Sequence, residues 1–199
     1  MDEEGRCALC RNGLRGFDAA YCYGAYGGVL RRLIHLFKYQ RVRTLEGPLA
    51  DCLLRALPRD LRFDAIVPVP LHWRRRWRRG FNQCELLARQ VSRRTGIPVA
   101  KALRRPSASR AQAGLTLAAR RHNVTTRSFS ARSTVAGQSI LLLDDVLTTG
   151  STATACARAL KQAGAVRVSV LTVARADRLR QAAPQSRVAT GEGSAGYAQ

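Results

Sequence analysis

Ile140-Leu141-Leu142-Leu143-Asp144-Asp145-Val146-Leu147-Thr148-Thr149-Gly150-Ser151-Thr152 decides the fold of this chain. Ile140–Leu143 is continuously apolar and gives way at once to polar residues, which predicts a strand buried on both faces of a parallel sheet. Asp144 and Asp145 then stand at the strand's carboxyl end, the edge where ligands of open α/β sheets bind. Thr148, Thr149, Ser151 and Thr152 supply hydroxyls, and Gly150 lets the backbone turn and approach a ligand closely. A helix from about Ser151 to Ala163 would offer free amides and a positive dipole end to an anion. Carboxylates beside a phosphate cradle suit a molecule with hydroxyls at one end and a phosphate at the other, such as a ribose 5-phosphate. A well-capped strand–turn–helix would also use Asp and Ser or Thr. It explains one acid and one hydroxyl, not this density.

The flanking sequence continues the same alternation. Phe17–Tyr26 reads as a strand with Tyr21 and Tyr23 on one face and Cys22 on the other. Leu30, Leu33, Ile34 and Phe37 keep helical spacing within Gly28–Tyr39. Leu45, Leu49, Cys52, Leu53 and Ala56 form the stripe of a second helix over Leu45–Leu57. Asp64–Val69 reads as a buried strand stopped by Pro70. Asn82–Arg94 is a third helix with Leu87 and Val91 inward, terminated by Thr95-Gly96-Ile97-Pro98. A closing strand is expected over Val166–Ala174. Strands alternating with helices argue for an α/β fold with a mainly parallel sheet. Between about Arg104 and Asn123 a basic stretch without periodicity has the length of a lid or a disordered segment.

The chain has 199 residues, enough for one domain with a sizeable core. Its formal net charge is +21, and only Lys38, Lys101 and Lys161 of the 34 basic residues are lysines. An arginine-rich solvated surface and a surface that meets polyanions fit this charge equally well. The acidic start Met1-Asp2-Glu3-Glu4 lacks the apolar run of a secretion signal. No apolar run approaches the roughly 20 residues of a membrane span. The reading is cytoplasmic, so the six cysteines are not expected to form a disulfide framework. The Gly191, Gly193, Gly196 triplet has no strand before it and no helix after it, which removes the dinucleotide reading.

Two other constellations carry chemistry. Ile66-Val67-Pro68-Val69-Pro70-Leu71-His72 runs into Trp73-Arg74-Arg75-Arg76-Trp77-Arg78-Arg79. The guanidinium forks of Arg74, Arg75, Arg76, Arg78 and Arg79 match phosphate oxygens bidentately, and interleaved Trp73 and Trp77 also suit stacking on single-stranded bases. Cys7-x-x-Cys10 is half of a zinc knuckle. Structural zinc takes four ligands, commonly two such pairs, and the second pair is missing. Either the chain starts inside that module or the module has been lost, and zinc at Cys7 and Cys10 stays an open alternative rather than the expectation. Cys52, Cys84 and Cys156 fall on predicted helices and read as small core residues.

The stretch around Asp144 resembles the phosphoribosyl pyrophosphate (PRPP) motif of type I phosphoribosyltransferases. V-P-V-P-L-H (67–72), R-G-F-N-Q (79–83), Gln112, Gly114, Leu115, Arg120 and Asn123, then L-D-D-V-L-T-T-G (143–150), together are similar to the ComF (competence protein F) family. The resemblance covers roughly Ala19 to Ala174. It implies a type I phosphoribosyltransferase-like domain over 17–175, with a hood from Met1 to about Pro58 that chooses the acceptor. A remnant cysteine-pair head would precede it over 1–16, and a disordered tail would follow over 176–199. It implies Asp144 and Asp145 on the ribose diol with Mg²⁺, and Thr148, Thr149, Gly150, Ser151 and Thr152 on the 5′-phosphate. Arg74–Arg79 would lie near pyrophosphate, with Gln112 and Arg120 on a mobile catalytic loop in which Ala119 stands where an acid is expected. The implied activity is transfer of phosphoribose from PRPP to a nitrogen nucleophile, linked to DNA uptake. The alternative is a non-catalytic nucleotide- or single-stranded-DNA-binding competence factor, with DNA or DNA-uptake proteins as partners.

Overall fold

A computed structural model of the protein describes residues 16–71, 80–105 and 129–176. Four strands, β1 (Ala19–Ala25), β2 (Ala65–Pro68), β5 (Ser139–Leu147) and β6 (Arg167–Arg175), form one all-parallel sheet in the order β1-β6-β5-β2. Pro98–Ala100 runs along the free edge of β2, where Ile66 N–H donates to Pro98 O at 2.8 Å and Ala100 N–H donates to Ile66 O at 2.9 Å. A small antiparallel pair, β3 (Leu103–Arg104) with β4 (Ser130–Ala131), stands apart from the sheet. The helices are α1 (Gly28–Tyr39), α2 (Glu46–Ala56), α3 (Gln83–Thr95) and α4 (Ser151–Gln162).

The central strands are apolar because helices cover both faces. Ile140–Leu143 is fully buried, as are Val168, Val170, Leu171 and Val173 of β6. The chain leaves β2 through α3 toward the 98–100 edge and leaves β5 through α4 toward β6, so the two crossovers run in opposite directions. Right-handed crossovers then put α3 and α4 on opposite faces. Accordingly α2 and α3 pack together over β1, β6, β2 and β5, while α4 packs on β5 and β6 beside the β3–β4 pair. The reversal also makes the gap between β2 and β5 the topological switch point, where a crevice opens at the strands' carboxyl ends.

Every predicted sheet strand and helix over the described residues is present within one or two positions, with one informative exception. β5 does not stop before the acids but runs on to Leu147. On one side β6 keeps pairing with it, Asp144 opposite Thr172 and Leu147 opposite Arg175. On the other side β2 ends at Pro68 opposite Leu143. The acids therefore lie inside a strand that has lost one neighbour. The N-terminal segment expected as a hood places β1 in the main sheet and α2 against it. What is described of that segment is an edge strand with helices. Among the described residues no helix is long and apolar enough to cross a membrane.

Candidate functional site

The site is assembled where β5 passes the end of β2. Asp145 is 5% exposed, and both its oxygens are engaged. Lys38 Nζ lies 2.7 Å from Oδ1, and Gln83 Nε2 donates to Oδ2 at 2.9 Å. Asp144 is half-buried. Its Oδ1 accepts the Asp145 N–H at 2.9 Å and the Cys84 thiol at 3.4 Å. The two neighbouring carboxylates thus differ: one is saturated inside the protein, the other keeps an open side.

Three elements bring these partners together. Lys38 sits in the last turn of α1, whose apolar face buries Ile34 and Phe37. It follows Ile34 by four residues, so it falls on the buried stripe and reaches the buried Asp145 carboxylate. Gln83 and Cys84 open α3, which is capped by Asn82: the Asn82 side chain accepts the Cys84 N–H at 3.0 Å. The Asn82 amide also donates to Val69 O at 3.2 Å, tying the helix start to the end of β2. Phe81 meets the buried Phe37 ring at 5.8 Å between centroids and locks α1 to this corner.

The electrostatics follow from burial. Burial, and then the charge of Asp145, raise the Asp144 carboxyl to a pKa of about 7. Burial alone would lower the Lys38 ammonium, but the charge and hydrogen bond of Asp145 outweigh it and hold Lys38 above its ordinary value. Burial, with both aspartates behind it, pushes the Cys84 thiol well up, so Cys84 is a thiol and no activated nucleophile.

The phosphate-cradle segment is ordered as expected. Gly150 takes the left-handed conformation, φ 74°, at the N-cap of α4, a position where a Cβ is strained. Gly150 has no side chain to cap the helix, the Thr149 hydroxyl accepts the Ser151 N–H at 3.4 Å, and Thr148, Thr149, Ser151 and Thr152 are exposed. Thr149 and Ser151 hydroxyls share a hydrogen bond of 2.9 Å. The remaining first-turn amides and the positive dipole end of α4 follow Asp144 by a short exposed loop, an arrangement that can hold an anion.

The phosphoribosyl transferase domain family matches residues 79–191. Competence protein F of Haemophilus influenzae is 34% identical over 181 residues, covering 85% of this chain and 78% of that protein. The chain belongs to the competence protein F family. DNA utilization protein YhgH of Escherichia coli K12 is 35% identical over 157 residues, 75% of this chain and 69% of the other. Among solved structures, glutamine PRPP amidotransferase from B. subtilis, complexed with ADP and GMP, aligns at TM-score 0.47 and 23% identity. The alignment covers 65% of this chain and 26% of that one. Leishmania donovani UMP synthase aligns at TM-score 0.37 and 17% identity, covering 72% and 24%. The chain thus spans about a quarter of each of these two enzymes.

Within this family member, the structure brings Asp144, Asp145 and the Thr148–Thr152 loop to one edge. Arg74, Arg75, Arg76, Arg78, Arg79, Gln112, Arg120, Ala119, Cys7 and Cys10 lie outside the described residues, as do Trp73 and Trp77. Cys84 and Cys156 are buried core residues and Cys52 is half-buried, in keeping with their reading. Cys84 adds a contact to Asp144 that helix spacing did not reveal. Lys38, Gln83 and Cys84 are the site residues that the motifs alone did not assign. Lys38 carried a legible signal, a lysine on an apolar helical stripe, which demands a buried anion.

Proposed function

We propose that the protein binds PRPP with Mg²⁺ at the β5–α4 edge and transfers its phosphoribosyl group to a nitrogen nucleophile, the binding domain spanning residues 17–175. The observation that carries this reading is the half-buried Asp144 on the strand that leads through Gly150 into α4, at the sheet's switch point. Asp144 and Asp145 serve the ribose diol, Asp144 through its open side while the Asp145 N–H holds it in place. Thr148–Thr152 take the 5′-phosphate through hydroxyls and amides. Arg74–Arg79 with Arg120 take the pyrophosphate, and Gln112 belongs to the loop that covers it.

Mg²⁺ fits this donor set. It favours hard oxygen ligands and is commonly held by one or two carboxylates plus substrate phosphates; Asp144 supplies the carboxylate and PRPP the rest. Bound there, Mg²⁺ would offset charge developing on the departing pyrophosphate. In the reaction the nucleophile's nitrogen lone pair forms the bond to the anomeric carbon. The bond from that carbon to pyrophosphate breaks with its electron pair, and the nitrogen releases a proton. The chain's contribution is positioning and electrostatic stabilisation of a cationic sugar. Burial keeps the Cys84 thiol protonated and out of the chemistry.

Calorimetric titration with PRPP and Mg²⁺ tests the assignment. Asp144→Asn combined with Asp145→Asn is expected to weaken binding at least a hundredfold, about 2.7 kcal/mol. Binding that survives the double substitution in a folded protein refutes the site.

A second reading, single-stranded DNA binding, is favoured by a different feature. A groove of about 370 Å³ between the start of α2 and the face of α3 is lined by Arg43, Glu46, Leu86, Arg89 and Arg93. Glu46 is engaged by Gln90 Nε2 at 2.8 Å, and Arg94 is paired with Asp51. Arg43 lies over the Phe81 ring, 5.6 Å from its centroid. Three guanidiniums thus converge without a paired acid among the described residues, a setting for backbone phosphates. Arg89→Ala with Arg93→Ala is expected to reduce the slope of log affinity for single-stranded DNA against log salt by roughly one to two. An unchanged slope removes the groove from DNA binding.

A further inference from the structure

Cys84, Asp144 and Asp145 each bring a donor atom within 4.8 Å of the others, so the acid pair has the makings of a divalent-cation site. A cation of the chain already stands against one of these donors. Lys38 Nζ stands 2.7 Å from Asp145 Oδ1, and its side chain is 15% exposed against 7% for Asp145. The other Asp145 oxygen is taken by Gln83 Nε2 at 2.9 Å. Gln83 is 4% exposed, and its Oε1 has no hydrogen-bond partner. An amide that spends its NH₂ on a carboxylate and leaves its carbonyl empty is one oxygen donor short of a partner.

We propose that Lys38 is a tethered cation that closes the acid pair to a bare divalent ion, so that the metal enters only together with the phosphorylated sugar. The inference deepens the PRPP reading and rests on it for the order of binding. The exclusion itself depends only on charge and space. A lysine on a helix's buried stripe cannot leave without exposing its stem and stranding Asp145 in low dielectric. An arriving aqueous ion would have to displace it and shed its own water. A metal carried by a pyrophosphate ligand needs only Asp144, whose carboxylate has an open side, and leaves the Lys38–Asp145 pair intact. The role assigned to Lys38 is positioning and exclusion, not chemistry.

Mn²⁺ is the probe, because its free aqueous signal can be followed by electron paramagnetic resonance. Without PRPP, the wild-type chain is expected to leave Mn²⁺ free, while Lys38→Met binds it at least tenfold more tightly and unfolds at a higher temperature when Mn²⁺ is added. Lys38→Arg, which keeps a cation in place, should behave as wild type. Lys38→Met with Asp145→Asn should lose the gained affinity. Wild-type protein that binds bare Mn²⁺ tightly, with loss of binding in Asp145→Asn, overturns the proposal even if Lys38→Met fails to fold. A folded Lys38→Met that gains no affinity overturns it as well. PRPP is titrated separately: wild type that excludes bare Mn²⁺ yet binds no PRPP sinks the PRPP reading and sustains the assignment of Lys38.

Discussion

Replacing Asp145 by Leu is expected to lower the thermal unfolding midpoint by on the order of 10 °C, although leucine is itself a core residue and keeps the branch point of the aspartate side chain. Asp145 is 5% exposed and its partner Lys38 is largely buried, so removing the carboxylate leaves an ammonium and the Gln83 amide without their acceptor. Breaking one half of such a pair costs about 3–5 kcal/mol. Removing both halves is a different matter. Lys38→Met with Asp145→Leu replaces two desolvated charges by apolar groups, a change often neutral or stabilising. The double variant is therefore expected to recover most of the loss, and a double-mutant cycle by chemical denaturation measures the coupling. Additive single losses would mean that the 2.7 Å contact contributes little and that Asp145 matters for shape alone. The same cycle separates stability from function: the Asp145 N–H still holds Asp144 in the double variant, so PRPP titration of that folded variant measures what the buried pair itself adds to binding.

How far this corner was legible in the sequence depends on the range of the interaction. The helix over Gly28–Tyr39, the strand at Ile140 and the turn at Gly150 follow from local rules: 3.6-residue spacing, an apolar run, and one residue able to take a positive φ. The acid pair and its loop were readable because one short segment carries all their parts. The acids' internal order was not. Asp144 and Asp145 look equivalent in sequence; which becomes half-buried and which saturated depends on Lys38 and Gln83, 107 and 62 residues away. The overrun of β5 to Leu147 has the same origin. A charge ends a buried strand unless something distant neutralises it, and Lys38 does so. Periodicity alone would place Cys84 in a plain core. It is buried, but the Asn82 cap sets its thiol against Asp144.

Stability and ligand affinity are expected to run in opposite directions as pH rises through neutrality. Asp144 has a pKa of about 7 in the folded chain, against an ordinary value of about 3.9 when unfolded. Between these values the folded state holds the proton that the unfolded state has lost. The stability this provides is present at the acid end of the window and fades as pH rises to about 7. The slope approaches about 1.4 kcal/mol per pH unit for one proton. Asp18 has the reverse sign but a different window. Burial would raise it, yet hydrogen bonds from Lys161 and the Val168 amide hold it below its ordinary value, so its contribution is lost only in stronger acid. Denaturant titrations from pH 5 to 8 should therefore show stability falling with pH in the wild type and nearly flat in Asp144→Asn, the variant being the more stable at pH 8. Affinity for PRPP should rise over the same range, because the diol needs the ionised carboxylate as acceptor. A slope that persists in Asp144→Asn would assign the proton to another group. The opposition is what a binding carboxylate entails: the burial that destabilises its charge in the free protein makes a hydroxyl donor worth more to it when the ligand arrives.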